Sequence, residues 1–161
     1  MNQNGHRRTS VMIVDDEEMV ITSIQAFLQL ETDFEVQGFT DPEEAARFVE
    51  NHPVDVVVSD YLMPKMNGIQ LLARIKEVQP EASRVLLTGH ADKQSAIQAI
   101  NQVALFQYLE KPWDNSQLML VVASGAERSR LFRELREKVE ALDSAHAALK
   151  NAQRRLIQAF L

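Results

Sequence analysis

The chain has 161 residues, 45% apolar and 25% charged, the balance of a globular protein rather than a disordered one. It has no cysteine, which excludes disulfides, thiolate metal sites and cysteine nucleophiles. No apolar run approaches the roughly 20 residues of a membrane span, and the N-terminal MNQNGHRRTS lacks the apolar region of a signal peptide. The formal charge of −6 divides into −9 over residues 1–125 and +3 over residues 126–161. An acidic body does not point to nucleic acid. The expectation is a cytoplasmic protein with neither nucleic-acid nor membrane partners. Its organisation would be a flexible tail at 1–9, a domain at 10–125 and an extension at 126–161.

Short apolar runs alternate with amphipathic segments along the domain. Ser10–Val14 reads as a strand, and Glu17–Leu30 as a helix with apolar residues at 20, 21, 24, 27 and 28. Phe34–Phe39 alternates as a strand does. TDPEEAARFVENH opens a helix, with Thr40 or Asp41 as N-cap and Pro42 in its first turn. Val54–Ser59 is a β-branched run suited to a central strand. Pro64, Asn67 and Gly68 mark a loop, and Gly68–Val78 is again helical. Arg84–Thr88 predicts a fourth strand. Asp92–Asn101 predicts a helix with 96, 97 and 100 on one face, and Leu105–Leu109 a fifth strand. From Asp114 the pattern is helical. Strands and helices in alternation imply an α/β, doubly wound parallel sheet covered on both faces.

In such a sheet the ligand site lies beyond the carboxyl ends of the strands. Those ends carry Asp15 and Asp16 after the first strand, Asp60 after the third, Thr88 at the fourth and Lys111 just past the fifth. Three clustered carboxylates cannot all stay ionised cheaply without a cation among them. Oxygen donors alone select a hard ion, and Mg²⁺ fits because it also binds phosphate oxygens. An ammonium and a hydroxyl facing it suit phosphoryl chemistry. Asp60, central in the sheet, is the best placed carboxylate to become an aspartyl phosphate.

The motifs VDD (14–16), SDYLMPKMNG (59–68), LLTGHAD (86–92) and YLEKPW (108–113) resemble those of response-regulator receiver domains of two-component signalling. The resemblance spans about residues 10–125 and implies a flavodoxin-like sheet of order 2-1-3-4-5. It implies that Asp60 accepts a phosphoryl group from a histidine kinase or phosphotransfer protein. Asp15, Asp16, Asp60 and the backbone carbonyl of Leu62 would hold Mg²⁺. Lys111 would pair with a phosphoryl oxygen, aimed by a cis Lys111–Pro112 bond. Thr88 would bond another oxygen, with Tyr108 as the switch aromatic that turns inward as Thr88 moves. Leu62 and His90 occupy the two positions that flank the path of a hydrolytic water. Leu62 cannot hydrogen-bond that water, so a long-lived phosphoaspartate is expected. Similar receivers often precede cyclic-dinucleotide-metabolising domains or histidine kinases.

Beyond residue 125 no proline or glycine interrupts the helical pattern. Leu135, Leu142, Leu149 and Leu156 recur every seven residues, and Phe132, Val139, His146, Gln153 and Phe160 hold the companion seam positions. This predicts a parallel dimeric coiled coil in which His146 and Gln153 help fix register. Lys138 could meet Asp143 of the second chain. RRLIQAFL stops mid-pattern, as in a helix leading to a removed output domain or a natural stub. Two alternatives compete with a signalling switch. An Mg²⁺-dependent aspartyl-phosphate phosphatase would want an acid where Leu62 stands. A pseudo-receiver interaction module would lack an Asp, Thr or Lys that is present here. The expected protein is therefore no enzyme beyond its own phosphorylation and dephosphorylation.

Overall fold

The computed structural model describes residues 7–161; of the tail expected over residues 1–9, residues 1–6 lie outside them. The chain divides into two units at the Ser129/Arg130 boundary. In the first, the elements run β1 (Ser10–Val14), α1 (Glu18–Glu31), β2 (Glu35–Phe39), α2 (Pro42–Phe48), β3 (Val56–Asp60), α3 (Gly68–Val78), β4 (Ser83–Thr88), α4 (Lys93–Gln102) and β5 (Gln107–Glu110). A 3₁₀ turn, His90–Asp92, leads into α4. The last helix, α5, is Asn115–Phe160. The strands form one parallel sheet of order β2-β1-β3-β4-β5, as the resemblance implies.

The sequence explains these elements locally. β1, β3 and β4 are buried along their whole length, which is why they read as continuous apolar runs and not as alternations. Their alternate residues supply two cores. Met12, Val14, Val57 and Leu86 join one cluster with α2, α3 and α4 residues; Val11, Ile13, Val56, Val58, Val85 and Leu87 join the other with α1 and α5 residues. Asp41, the second of the two cap candidates, accepts from the Glu43 amide and starts α2. Asn67 and Gln70 form a reciprocal capping box at α3.

Strand bounds shift by one or two residues, β3 to Val56–Asp60 and β5 to Gln107–Glu110, and two larger expectations change. In α4 the core-facing residues are Ala96 and Ala99, whereas Ile97 and Ile100 are 50% and 40% exposed. Ala96, Ala99 and buried Val103 make an equally good helical stripe. Small residues let α4 lie close to the sheet, so side-chain hydrophobicity pointed to the wrong face. Second, residues 7–9, expected as part of the tail, are hydrogen-bonded to the domain. Arg7 grips Asp55 with two nitrogens at 2.9 and 3.1 Å, and the Ser10 amide adds a bond of 2.7 Å. The Glu35 amide donates to the Thr9 carbonyl at 2.8 Å. Asp55 is buried, and a buried carboxylate needs such donors.

The amino edge of the sheet is tied by a second buried charge. The Arg84 guanidinium donates to the carbonyls of Val103 (2.8 Å), Ala82 (2.9 Å), Pro80 (3.2 Å) and Ala104 (3.3 Å). Burial, followed by the charge of Arg128, lowers its pKa. Gly125 lets α5 approach the sheet: an added Cβ would lie 3.2 Å from that of Ser83. Ser83 Oγ donates to the Gly125 carbonyl at 2.6 Å. The second unit, Arg130–Leu161, is helical through Phe160. Its pairs include Arg130–Glu134 at 2.6 Å and Arg136–Glu140 at 3.9 Å.

Among the described residues Ser129 Oγ is buried without a hydrogen-bond partner. A buried hydroxyl that bonds nothing costs stability, whereas one that bonds a carbonyl contributes about 1 kcal/mol. Ser129→Ala is therefore expected to be neutral or to stabilise by up to about 1 kcal/mol, and Ser83→Ala to destabilise by about as much. Urea unfolding of both variants checks the contrast.

Candidate functional site

The sheet carries the anticipated residues to one rim, and its backbone ladder runs one residue past three strand ends. The Asp15 amide donates to the Phe39 carbonyl at 3.1 Å, the Tyr61 amide to Leu87 at 2.9 Å and the Lys111 amide to Thr88 at 2.8 Å. The positions of Asp15, Asp60 and Lys111 are thus set by main-chain bonds at or next to each residue.

One carboxylate oxygen from each of Asp15, Asp16 and Asp60 lies within 4.8 Å of the others. Asp15 and Asp60 are buried and Asp16 is exposed. Lys111 Nζ sits 2.9 Å from Asp60 Oδ1 and 3.5 Å from Asp15 Oδ2. Asp15 Oδ1 also accepts from the Glu17 amide at 2.8 Å, at the entry to α1. The Lys111–Pro112 peptide is cis.

The charges are in tension. Burial raises the Asp15 pKa from 3.8 to about 6; the Glu17 amide opposes this and the Asp60 charge adds to it. Burial also raises that of Asp60, against the pull of the Lys111 bond. Burial works against the Lys111 ammonium, but its bond to Asp60 and the charges of Asp15 and Asp60 outweigh it, so its pKa rises. One ammonium does not neutralise three carboxylates. The donor set is all oxygen, clustered, and short of positive charge, so it fits a hard divalent cation.

The remaining anticipated residues divide. Thr88 is buried, and its hydroxyl donates to the Gly89 carbonyl at 3.1 Å. Tyr108 pairs with Leu86 in the β4–β5 register and packs on the core cluster to which Leu86 belongs. Thr88 lies two residues beyond Leu86, so Thr88 and Tyr108 share the α4 face of the sheet. Leu62 is exposed. His90 Nδ1 lies 2.7 Å from Glu110 Oε1. Sequence reasoning missed Glu110, whose place opposite Thr88 needs the strand register. Gly68 read as a loop marker and the start of a helix, with no reason for glycine itself. An added Cβ there would collide with the Asp60 backbone carbonyl and lie 2.9 Å from Leu86 Cδ1, so glycine lets α3 begin directly beside Asp60.

Comparison with known proteins gives a consistent result. The family model described as response regulator receiver domain matches residues 11–123. The C4-dicarboxylate transport transcriptional regulatory protein DctD of Rhizobium meliloti is 31% identical over 140 residues, covering 87% of this chain and 30% of that protein. The chain spans only about a quarter to a third of the length of its curated relatives. The signal receiver domain of an HD domain-containing protein from Pseudomonas fluorescens Pf-5 is 32% identical with a TM-score of 0.75, covering 80% of this chain and 94% of that one. A response regulator receiver domain protein from Clostridium thermocellum is 32% identical with a TM-score of 0.72, covering 77% and 98%.

The raised Asp15 pKa has a testable consequence. In the folded protein Asp15 takes up its proton as pH falls through about 6; in the unfolded chain it does so near 3.8. Its burial therefore costs stability above about 6, and the cost is relieved as pH falls toward 4. A cation must compete with that proton. Mg²⁺ affinity, read by calorimetry, is expected to be steady near pH 8 and to fall roughly tenfold per pH unit below about 6. Asp15→Asn is expected to raise metal-free stability by about 1–2 kcal/mol and to abolish the Mg²⁺-dependent rise in Tm.

Proposed function

The chain belongs to the response-regulator receiver family, and on that premise we propose that residues 10–125 act as a phosphorylation-dependent signalling switch with Asp60 as phosphoacceptor. The observation that carries this reading is the Lys111–Asp60 contact of 2.9 Å within a cluster of three carboxylates. An Asp60 carboxylate oxygen attacks the phosphorus of a phosphohistidine on a histidine kinase or phosphotransfer protein. The P–N bond breaks and the imidazole leaves. Asp15, Asp16, Asp60 and the Leu62 carbonyl would hold Mg²⁺, which would neutralise phosphoryl oxygens. Lys111 passes from the Asp60 carboxylate to one phosphoryl oxygen. Thr88 gives up the Gly89 carbonyl to donate to another, and Tyr108, on the same face, fills the space it leaves. The domain turns over no external substrate.

We infer that residues 126–161 carry the state onward as a parallel homodimer. On the single chain Leu142, Leu149 and Leu156 are 70%, 59% and 61% exposed. Four heptads of such exposed seam favour a second copy as the cover. No helix among the described residues is long and apolar enough to cross a membrane.

Light scattering with Mg²⁺ and beryllofluoride, beside Asp60→Ala, tests both readings. Wild type is expected to take up the phosphoryl mimic and Asp60→Ala is not; a wild type that binds none sinks the switch. The chain is expected to be dimeric, and Leu142→Glu with Leu149→Glu monomeric; a monomeric wild type at high concentration sinks the coiled coil. Leu62→Asn is expected to speed loss of the phosphoryl group several-fold by offering the water a hydrogen-bond partner; an unchanged or slower rate refutes the role given to Leu62.

A further inference from the structure

We propose that His90 and Glu110 form a clasp that restrains the β4–α4 segment and so opposes the movement of Thr88 toward a phosphoryl group on Asp60. This rests on the switch reading above and adds a restraint to it. Thr88 and Glu110 face each other on the last rung of the β4–β5 register. His90 opens the 3₁₀ turn two residues beyond Thr88, and its Nδ1 is 2.7 Å from Glu110 Oε1.

The segment 88–90 is therefore held at three points. Its backbone is held by the Lys111 amide, which donates to the Thr88 carbonyl at 2.8 Å. The Thr88 hydroxyl is held by the neighbouring Gly89 carbonyl at 3.1 Å. The His90 ring is held by Glu110. The first hold belongs to the sheet and gives no way to a hydroxyl that moves. The second must break before Thr88 can donate elsewhere. The third ties the loop to β5 beyond the point where Thr88 turns, so a shift of the loop toward β3 stretches it.

The helix beyond this turn packs on the sheet through small residues. The core face of α4 consists of Ala96 and Ala99, and its larger Ile97 and Ile100 point outward. The apolar face that holds the start of this helix is small, which leaves the His90–Glu110 contact able to matter. The pair is well exposed, with side chains 89% and 37% accessible, so its strength is modest. A contact made in one arrangement and lost in the other biases the equilibrium by its own free energy and no more. For an exposed pair that bias is about two- to five-fold.

The geometry also changes the part His90 can play. A ring nitrogen engaged by Glu110 is not available to position a hydrolytic water. In the clasp His90 acts through Nδ1, by positioning the Thr88 loop.

The test is a beryllofluoride titration of the full chain in Mg²⁺, followed by the fluorescence of Trp113, with His90→Asn, Glu110→Gln and the double variant. Each single variant is expected to bind the mimic about two- to five-fold more tightly than wild type, and the double variant no more tightly than either single. The reversed pair His90→Glu with Glu110→Lys is expected to restore wild-type affinity, which a merely structural role for either residue would not do. Unchanged or weaker binding in the single variants, or fully additive effects in the double, overturns the clasp. If wild type itself binds no mimic, the switch reading falls and takes the clasp with it. If wild type binds and every variant matches it, the clasp alone fails.

Discussion

The structure turns on placing two buried carboxylates, Asp15 and Asp60, beside a single ammonium. Burial drives both acids toward their neutral forms, and Lys111 offsets this only in part. That imbalance needs a scaffold that does not relax. A parallel sheet supplies it, because the carboxyl ends of β1, β3, β4 and β5 share one rim and the ladder bonds continue past three strand ends. The hydrophobic clusters on the two faces hold that rim rigid while leaving Asp16 at its exposed lip.

The amino edge of the same sheet shows what a buried charge looks like when it is structural. Asp55 takes two bonds from Arg7 and one from the Ser10 amide. Arg84 spreads its donors over four carbonyls. Both groups find permanent partners within the fold. At the carboxyl rim the acids are left facing one another, with pKa values raised. A group kept short of partners is one that can take a ligand. β4 runs between the two edges, from Ser83 and Arg84, which are anchored at the amino edge, to Thr88 at the carboxyl rim.

Much of this was legible in the residues. β1 and α3 have the bounds that their apolar spacing and flanking turn residues indicate. Asp15, Asp16, Asp60, Thr88 and Lys111 could be placed on one rim because parallel strands align their carboxyl ends, whatever the side-chain details. The α4 face was misread because Ala96 and Ala99 weigh little on any hydrophobic scale, although small residues are what close packing on a sheet requires. Arg7 and Asp55 stand 48 positions apart, and no local pattern couples them. Gly68 read as a turn residue; its task is to avoid the Asp60 backbone, a distance that only the folded chain defines.

The sequence by itself determined which elements form, which strand ends carry charge, and that an all-oxygen site would gather there. These features arise from local periodicity and from a topology with few alternatives. The tertiary structure alone decided the pairings. Lys111 lies on Asp60 and only loosely on Asp15, His90 lies on Glu110, and Tyr108 shares a face with Thr88. Such choices depend on register and on gaps of a few ångströms between elements far apart in the chain. Periodicity fixes the side of a strand on which a residue lies, but the neighbour across the gap is set by how the whole sheet is stacked and twisted.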